Sequence, residues 1–380
     1  MALKLLYITT FARSRFGSFA KSSIAAAREL GIEYHIASNE TGIDLSVKDA
    51  ECKELGIYHH HIDINRSPAA VRDNRLAKKQ ISELIEKYRF DAIHCNTPMG
   101  GVLGRLCGKK YGIKTVIYQA HGFHFWTGAP KKNWLIYYPV EKYLARYTDI
   151  LITINKEDYK RAQNFHLKKG GKIYYVHGVG VDTHVSDHLT VDIAAKRREL
   201  GIDPDKKVFI TVGELIPRKN HLTAIDAFIK ADIDNAILMI CGRGELENAM
   251  REHITSLNAQ EKVIMLGFRS DVSELLAASN YFVFPSLQEG LPLALMEAMS
   301  AGLPCIAANI RGNTDLLGDD YRYLFAPHDV DKLAEMFRSI VNEPSSLGKY
   351  CKKCVEPFDF EPVVQEFKSV YADAERRCDL

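Results

Sequence analysis

The sequence predicts an α/β protein made of two Rossmann-like, doubly wound domains that face a cleft. Short β-branched or aliphatic runs alternate with amphipathic stretches of helical length along the whole chain, which is typical of βαβ units around parallel sheets. The 380 residues are too many for one ordinary core and suit two domains of about 150 to 200 residues each. A content of 46% hydrophobic and 26% charged residues is that of a soluble globular protein.

Ten apolar runs are predicted to be strands, five in each half of the chain. Each set is large enough for its own doubly wound sheet. The first set is LKLLYITT from Leu3, EYHIAS from Glu33, DAIHC from Asp91, KTVIYQA from Lys114 and DILITI from Asp149. The second set is KVFITVG from Lys207, AILMICG from Ala236, KVIMLG from Lys262, YFVFP from Tyr281 and LPCIAA from Leu303.

Turn residues followed by a polar run near residues 178–206 predict the connector between the domains. We therefore expect a first domain over residues 1–185 and a second over residues 186–357. Helical periodicity after Pro357 predicts a last helix over 358–380 that runs back to the first domain.

We expect the protein to be cytoplasmic. Its first apolar run lacks the long hydrophobic region and the cleavage site of a signal peptide, so we interpret it as a buried strand. No other apolar run approaches the roughly 18 residues of a membrane-spanning helix. The eight cysteines, several of them inside apolar strands, suit buried thiols in a reducing compartment.

Charge is distributed unevenly between the two halves. Residues 1–185 contain 28 Lys and Arg against 17 Asp and Glu, a net charge of +11, whereas the remainder contains 22 against 31, a net charge of −9. A basic half indicates an anionic partner, with phosphates or a membrane surface as candidates, and uneven solubilising charge as the alternative. No nucleic-acid partner is expected.

The stretch FPSLQEGLPLALMEAMSAGLPCIA from Phe284 predicts a binding loop between a strand and a helix. Glu289 and Gly290 lie in the loop, and Pro292 opens the helix, whose free N–H groups and dipole favour an anion. Glu297 lies about six residues into that helix, roughly 9 Å from its start. One carboxylate can thus serve a sugar and the other a ribose, with a diphosphate between them. The alternative is that Glu297 is only a good helix former and Glu289 a loop charge.

Two cations follow a second buried strand. VFITVGELIPRKNH from Val208 contains the turn residue Gly213 and then Arg218 and Lys219 before the next helix. Open α/β sheets bind ligands at this edge, where two cations can neutralise a departing diphosphate without a metal. Solvated loop charges are the alternative.

Two further loops are candidates for the nucleotide end of this site. ICGRGEL from Ile240 places Gly242 directly after a strand, which indicates close backbone packing near a nucleotide, although a lone GxG is weak evidence. GFRSDV from Gly267 enters another helix, where Phe268 and Arg269 are predicted to flank a base.

Together these residues resemble the donor domain of glycosyltransferase family 4, which has the two-domain GT-B architecture. Glu289 and Glu297 match its Glu-x7-Glu signature, and Arg218 and Lys219 match its diphosphate-binding pair. The resemblance extends over nearly the whole chain. It implies that 1–185 binds the acceptor and that 186–357 binds the nucleotide-sugar donor. The donor-binding residues are then Gly17, Gly213, Arg218, Lys219, Gly242, Phe268, Arg269, Glu289, Gly290, Leu291 and Glu297.

The first half is similar to transferases of capsule and exopolysaccharide synthesis, through IHCNTPMGGVLGR from Ile93 and YQAHGFHFWTGAP from Tyr118. In that family a histidine after this strand contacts the donor sugar, and His121 occupies its place. Gly17 stands where relatives carry paired glycines. The connector GVGVD from Gly178 departs from the Asn-Gly that relatives often have before Val-Asp.

The resemblance implies a retaining hexosyltransferase that uses no metal and no cofactor. The donor is expected to be a UDP-sugar and the acceptor a saccharide, such as one linked to polyprenyl diphosphate in surface polysaccharide synthesis. The catalytic residues are then His121, Arg218, Lys219 and Glu289. A nucleotide-sugar epimerase and a non-catalytic nucleotide-sugar binding protein are the alternatives, whereas the absence of GxGxxG after the first strand disfavours a nicotinamide dehydrogenase.

Residues 131–147, KKNWLIYYPVEKYLARY, mix lysine and arginine with aromatic side chains, as is favoured at a lipid headgroup boundary. The hypothesis is peripheral contact with the inner face of the plasma membrane, and the alternative is that the aromatics pack into the core. Pro139 is expected to kink or divide the helix. His59, His60 and His61 alternate sides of a strand and so predict no metal site, and the CxxC at Cys351 lacks a redox context.

Overall fold

A computed structural model describes residues 2–10 and 12–378, apart from the side chains of residues 18, 19, 186 and 187. Contacts divide the chain into two compact units. The N-terminal unit comprises the described residues up to Gly180 together with those from Phe360 onward, and the C-terminal unit is Val181–Asp359. The boundaries expected from the sequence lie within a few residues of these.

The N-terminal unit contains a seven-stranded parallel sheet in the order β3-β2-β1-β4-β5-β6-β7. Its strands are β1 (Lys4–Ile8), β2 (Glu33–Ser38), β3 (Tyr58–His61), β4 (Ala92–Asn96), β5 (Thr115–Ala120), β6 (Ile150–Thr153) and β7 (Lys172–Tyr175). Its helices are α1 (Ser18–Glu29), α2 (Leu45–Leu55), α3 (Val71–Tyr88), α4 (Pro98–Tyr111), α5 (Lys131–Ala145), α6 (Lys156–Ala162) and, at the end of the chain, α16 (Phe360–Cys378).

Helices cover both faces of this sheet, so its central strands β4, β5 and β6 are buried along their whole length. The last helix, α16, packs against α1 and β5 and inserts Val363, Phe367 and Tyr371 into the core of one face. The chain therefore returns to the N-terminal unit through α16. The opposite face is filled by residues of α3 and α4.

The C-terminal unit contains a six-stranded parallel sheet in the order β10-β9-β8-β11-β12-β13. Its strands are β8 (Lys207–Val212), β9 (Ala236–Cys241), β10 (Val263–Gly267), β11 (Tyr281–Phe284), β12 (Cys305–Ala308) and β13 (Leu324–Phe325). Its helices are α7 (Val185–His188), α8 (Ile193–Glu199), α9 (His221–Ala231), α10 (Glu247–Ser256), α11 (Val272–Ala277), α12 (Leu293–Ser300), α13 (Asn313–Leu317), α14 (Val330–Ile340) and α15 (Ser346–Val355).

Both sheets have the strand order of the dinucleotide-binding fold, in which the order reverses between two central strands. In the C-terminal unit this switch point lies between β8 and β11, and in the N-terminal unit between β1 and β4. Loops after these strands diverge there and leave room for a ligand. The prediction of two doubly wound α/β domains is thus confirmed, and all ten predicted runs contain a strand.

Candidate active site

The two predicted cations meet the first predicted carboxylate at the switch point of the C-terminal unit. Arg218 and Lys219 lie in a single 3₁₀ turn, Pro217–Lys219, between β8 and α9. Arg218 Nη1 and Lys219 Nζ each lie 2.8 Å from Glu289 Oε1, in the loop after β11. Glu289 is only 8% exposed. One shielded carboxylate therefore holds two cations together, and the cluster keeps a net charge of +1 for an anionic ligand.

Further hydrogen bonds join the same two loops. Arg218 Nη1 also donates to the Gln288 carbonyl at 2.9 Å, and the Leu287 N–H donates to the Arg218 carbonyl at 2.8 Å. Buried Arg311, which follows β12, donates from Nε to the Glu289 carbonyl at 3.1 Å. The sequence analysis did not identify Arg311, because its role depends on a contact between loops that are distant in the chain.

Glu297 lies in the first turns of α12, with its side chain mostly buried. The helix begins at Leu293, with Pro292 as its N-cap residue, so Glu297 is the fifth helical residue, about 6 Å along the axis from the first. The start of α12 thus lies one residue later than the sequence indicated. Burial raises the pKa of Glu297 from 4.5 to about 7, and no charged side chain among the described residues offsets that burial. Such an uncompensated carboxylate is typical of a ligand-binding position.

We expect Glu297→Gln to stabilise the protein in a pH-dependent way. A carboxyl whose pKa is raised on folding loses stability as pH rises from 4.5 to about 7, because the unfolded chain releases this proton first. The glutamine variant should therefore be more stable than the native protein by up to about 3 kcal/mol at pH 8 and nearly equal to it at pH 4.5. Denaturant unfolding at both pH values measures this difference, and equal stability at pH 8 would contradict the environment described for Glu297.

Gly242 allows the loops after β8 and β9 to pack backbone against backbone. A Cβ atom at Gly242 would lie 1.8 Å from the Gly213 carbonyl oxygen, and one at Gly244 would lie 2.4 Å from that of Leu215. The Gly213 N–H donates to the Cys241 carbonyl at 3.0 Å. The predicted close packing therefore occurs, and it brings the glycine pair against the loop that carries Arg218.

Other predicted donor-binding residues have different surroundings. The Gly290 carbonyl oxygen lies against Gly312, where a Cβ atom would come within 2.7 Å of it. The Leu291 side chain packs against the hydrophobic core, which leaves its backbone to meet a ligand. Phe268 is 66% exposed and lies under the Arg243 guanidinium, 4.9 Å from its ring centroid. Phe268 is thus open to stacking with a base.

Arg269 is held by two carboxylates of the C-terminal unit. Its Nε and Nη2 atoms donate to Asp271 at 2.8 and 2.5 Å, and Nη2 also donates to Glu199 at 2.9 Å. These carboxylates also hold the pKa of Arg269 well above its usual value. These ion pairs fix the guanidinium in the loop between β10 and α11. The contact of Arg269 with a base stays a prediction.

In the N-terminal unit, His121 follows β5 and lies beside the end of β4. Its Nε2 atom forms a short hydrogen bond with Asn96 Oδ1. Its Nδ1 atom is shielded from solvent, and burial lowers the pKa of His121 to about 4. His121 is therefore neutral at physiological pH. The sequence analysis did not identify Asn96, which lies at a neighbouring strand end in the same sheet.

Gly17 precedes α1 and has an ordinary extended backbone, with φ −81° and ψ 172°. A Cβ atom there would lie 3.8 Å from Arg13 Nη1, which is normal van der Waals contact. Nothing in the fold therefore requires glycine at this position. Its predicted ligand contact stays a prediction, and an alanine there would disturb a ligand without disturbing the fold.

The segment proposed for membrane contact forms one helix, α5, that continues through Pro139. The expected break at Pro139 is therefore wrong, whereas the expected kink stays a prediction. Trp134 and Tyr138 pack against the core, whereas Tyr143 is 51% and Leu135 78% exposed. Some of the aromatic residues therefore pack into the core, and others remain exposed, as contact with a membrane would require. No helix in the described part of the chain is long and apolar enough to cross a bilayer.

Two motifs are predicted to have no metal or redox role: the histidine run His59–His61 and the CxxC at Cys351. His59 Nδ1 and Nε2 bond to Glu40 at 2.8 Å and Asp49 at 2.6 Å, and His60 Nε2 lies 2.8 Å from His35 Nδ1. Within residues 2–10 and 12–378, no group of three or more His, Cys, Asp or Glu residues is arranged to hold a metal ion. Cys351 is buried and present as a free thiol.

The geometry described above is that of a GT-B glycosyltransferase, and sequence comparison agrees. The family profile described as Glycosyl transferases group 1 matches residues 192–356, and the profile described as Glycosyl transferase 4-like matches residues 11–155. EpsD of Bacillus subtilis (strain 168), a protein named as a glycosyltransferase, is 33% identical over 382 residues, which cover 98% of this chain and 97% of EpsD. The chain therefore belongs to glycosyltransferase family 4, within the exopolysaccharide type.

Two further similarities are informative. The UDP-Gal:α-D-GlcNAc-diphosphoundecaprenol α-1,3-galactosyltransferase of Escherichia coli is 31% identical over 342 residues, which cover 85% of this chain and 88% of that enzyme. Anabaena Alr3699/HepE, in its crystal structure with UDP-glucose, superposes with a TM-score of 0.78 at 18% identity and covers 98% of this chain and 100% of its own. At that identity the likeness shows the fold alone.

Proposed function

We propose that this glycosyltransferase moves a hexose from a UDP-sugar to a saccharide carried on polyprenyl diphosphate, with retention of anomeric configuration and without a metal ion. This class of donor and acceptor is the one that the name of the Escherichia coli relative gives for that enzyme. The product would be a lipid-linked intermediate of surface polysaccharide synthesis. An epimerase, the alternative, would need a further acid and base near the sugar and would be active without an acceptor.

In this reaction the bond from the anomeric carbon to the diphosphate oxygen breaks, and the acceptor oxygen bonds to the same face of that carbon. The acceptor hydroxyl proton passes to the departing phosphate oxygen. Arg218 and Lys219 stabilise the charge that grows on the diphosphate, and Glu289 keeps both cations in place. Glu297 accepts hydrogen bonds from ribose hydroxyls, and His121 orients the sugar.

A single observation carries this proposal. A carboxylate that binds two cations lies in the loop just before a helix whose own buried carboxylate has no counter-charge. A nucleoside diphosphate fits both the cation pair and the buried carboxylate, because its phosphates carry negative charge for the cations and its ribose supplies hydroxyl donors for the carboxylate. Isothermal titration with UDP-, GDP- and ADP-sugars tests the donor class. We expect UDP-sugars to bind most tightly, and absence of binding to all three would contradict the proposal.

We expect full transfer activity in the presence of EDTA. Arg218 and Lys219 carry out the charge neutralisation that a divalent ion performs in metal-dependent transferases. The measurement is the initial rate with and without excess EDTA, with a manganese-dependent transferase as the positive control for chelation. A loss of activity that manganese restores would overturn the metal-free mechanism.

The exposed face of α5 fits an anionic lipid surface. It presents Leu135, Ile136, Val140 and Tyr143 together with exposed cationic side chains. The only acidic residue of α5, Glu141, is turned inward. Those cations are Lys131, Lys132 and Lys142, with Arg146 at the C-cap.

The inward position of Glu141 has a definite cause. Its Oε2 atom lies 2.8 Å from buried Arg105 Nη1, and its Oε1 atom accepts from the Tyr118 hydroxyl at 3.0 Å. The outer face of α5 therefore carries apolar and cationic groups with no carboxylate among them. That combination binds the interface of an anionic bilayer, where each basic residue contributes about 1 kcal/mol. We propose that it holds the enzyme beside its lipid-linked acceptor.

We expect Lys131→Glu with Lys132→Glu to weaken binding to anionic liposomes by at least about 30-fold, which corresponds to roughly 2 kcal/mol for the two lost lysines. Co-sedimentation with phosphatidylglycerol vesicles measures this, and native binding should fall with added salt. The matched control is Lys78→Glu with Lys79→Glu, an exposed pair on α3. If both double variants sediment like the native protein, this surface does not bind membranes.

A further inference from the structure

We infer that Asn96 is a positioning residue that holds His121 as the neutral tautomer with its proton on Nε2. The inference rests on the proposed function only for the part that His121 plays in transfer, since the tautomer itself is a property of the free protein. Asn96 is the last residue of β4, and His121 follows the neighbouring strand β5. Asn96 Oδ1 and His121 Nε2 are in direct hydrogen-bond contact.

The orientation of the Asn96 amide is determined by its other contacts. The Thr97 N–H, which can only donate, donates to Asn96 Oδ1 at 2.9 Å. Asn96 Nδ2 donates to Gln119 Oε1 at 3.2 Å and makes a short bond to the Tyr7 hydroxyl. A flipped amide would place its NH₂ group against the Thr97 N–H, donor against donor. The atom that faces His121 is therefore an oxygen.

An oxygen that faces Nε2 requires a proton on Nε2. Burial lowers the pKa of His121 to about 4, so the ring is not the imidazolium at neutral pH and holds only this one proton. Two titratable groups lie close by: His94 on β4 interacts electrostatically with His121 and has a pKa that burial lowers to about 3, and Tyr7 on β1 contacts the same Asn96 amide and has a pKa that burial raises. Neither supplies a negative charge. Nδ1 then carries a lone pair, and a sugar hydroxyl that reaches it can only donate.

The strained backbone at Thr97 indicates that the contact between Asn96 and His121 serves a function. Thr97 has φ 66° and ψ 157°, in the left-handed region that β-branched residues rarely adopt. Strain of this kind concentrates at functional sites. Here it lets the Asn96 side chain turn back onto the Thr97 N–H and so fixes the oxygen toward His121.

Two measurements test the inference. The first is the ¹⁵N spectrum of histidine-labelled native protein without substrate, with the His121 signals assigned by their loss in His121→Ala. We expect a proton on Nε2 and an unprotonated Nδ1 at pH 7. A proton on Nδ1, or an imidazolium, would overturn the inference. This arm needs no transferase activity, so an inactive protein that shows the expected tautomer would count against the proposed function alone.

The second measurement is the pH profile of kcat/KM for Asn96→Asp. An aspartate at this position keeps the acceptor for Nε2–H but favours the imidazolium, which protonates Nδ1. Relative to the native enzyme, the variant should lose kcat/KM as pH falls from 8 to 6, by up to about tenfold for each pH unit below its raised pKa, because only the neutral ring is competent. Asn164→Asp, on the exposed surface of the same unit, should follow the native profile. An Asn96→Asp profile parallel to the native one would contradict the role of Asn96.

Discussion

Arg218→Ala and Lys219→Ala should each lower kcat for sugar transfer by about 100- to 1,000-fold, with a smaller effect on donor KM. Both side chains bond to the same oxygen of Glu289 and so stand as a fixed pair of cations at the switch point of the C-terminal unit. The negative charge on the leaving diphosphate grows as the glycosidic bond breaks, so groups of this kind act mainly on the transition state. Removing one prearranged donor to a developing oxyanion typically costs two to three orders of magnitude.

The measurement is steady-state transfer at saturating donor for each variant. Arg251→Ala is the matched control, since Arg251 pairs with Glu247 on the exposed surface of α10 and should leave kcat unchanged. The double variant should lose less than the product of the single losses, because the two cations act on one group. If both single variants kept native kcat, the leaving-group role would be wrong.

Glu297→Ala should weaken binding of UDP by about 10- to 150-fold. The ionised carboxylate would accept two ribose hydroxyls, and hydrogen bonds to a charged group contribute roughly 1.5 to 3 kcal/mol. The raised pKa of about 7 adds a second signature, because bound hydroxyl donors stabilise the ionised form and binding should release a proton near neutral pH. Titration calorimetry in two buffers of different ionisation enthalpy measures both the affinity and the proton release.

Glu252→Ala provides the comparison for this variant. Glu252 is an exposed carboxylate on α10 in the same unit, and its loss should not change the affinity for UDP. If Glu297→Ala bound UDP with unchanged affinity, the proposed contact between Glu297 and the ribose would be wrong. Together with the expected gain in stability of Glu297→Gln, a loss of affinity would show that α12 gives up stability to present this carboxylate.

The central strands could be predicted from the sequence because their apolar runs are long and continuous, as sheets buried on both faces require. The three strands that no predicted run covered are β3, β7 and β13. β3 is the histidine-rich edge strand YHHH, β7 is the partly exposed edge strand KIYY, and β13 has two residues. Such strands depend on pairing with a neighbour more than on their own composition.

The site residues also form two groups, those that a local pattern in the sequence predicts and those that it does not. Glu289, Glu297, Arg218 and Lys219 are signalled by their spacing and by their place at strand ends, and the fold brings three of them into direct contact. Arg269 is predicted from its loop position to flank a base; its partner Asp271 is only two residues away, whereas its pairing with Glu199 depends on the fold. Asn96 and Arg311 carried no local signal, since each acts through a contact between loops that only the folded sheet brings together.

Transfer of a labelled sugar from UDP to a polyprenyl-diphosphate-linked saccharide, in the presence of EDTA, tests the central claim most directly. The account predicts that label moves into the lipid fraction and that NMR of the product shows the anomeric configuration of the donor. It also predicts only slow hydrolysis when the acceptor is omitted. Inversion at the anomeric carbon, epimerised UDP-sugar without acceptor, or tight donor binding with no transfer to any lipid-linked saccharide would contradict it.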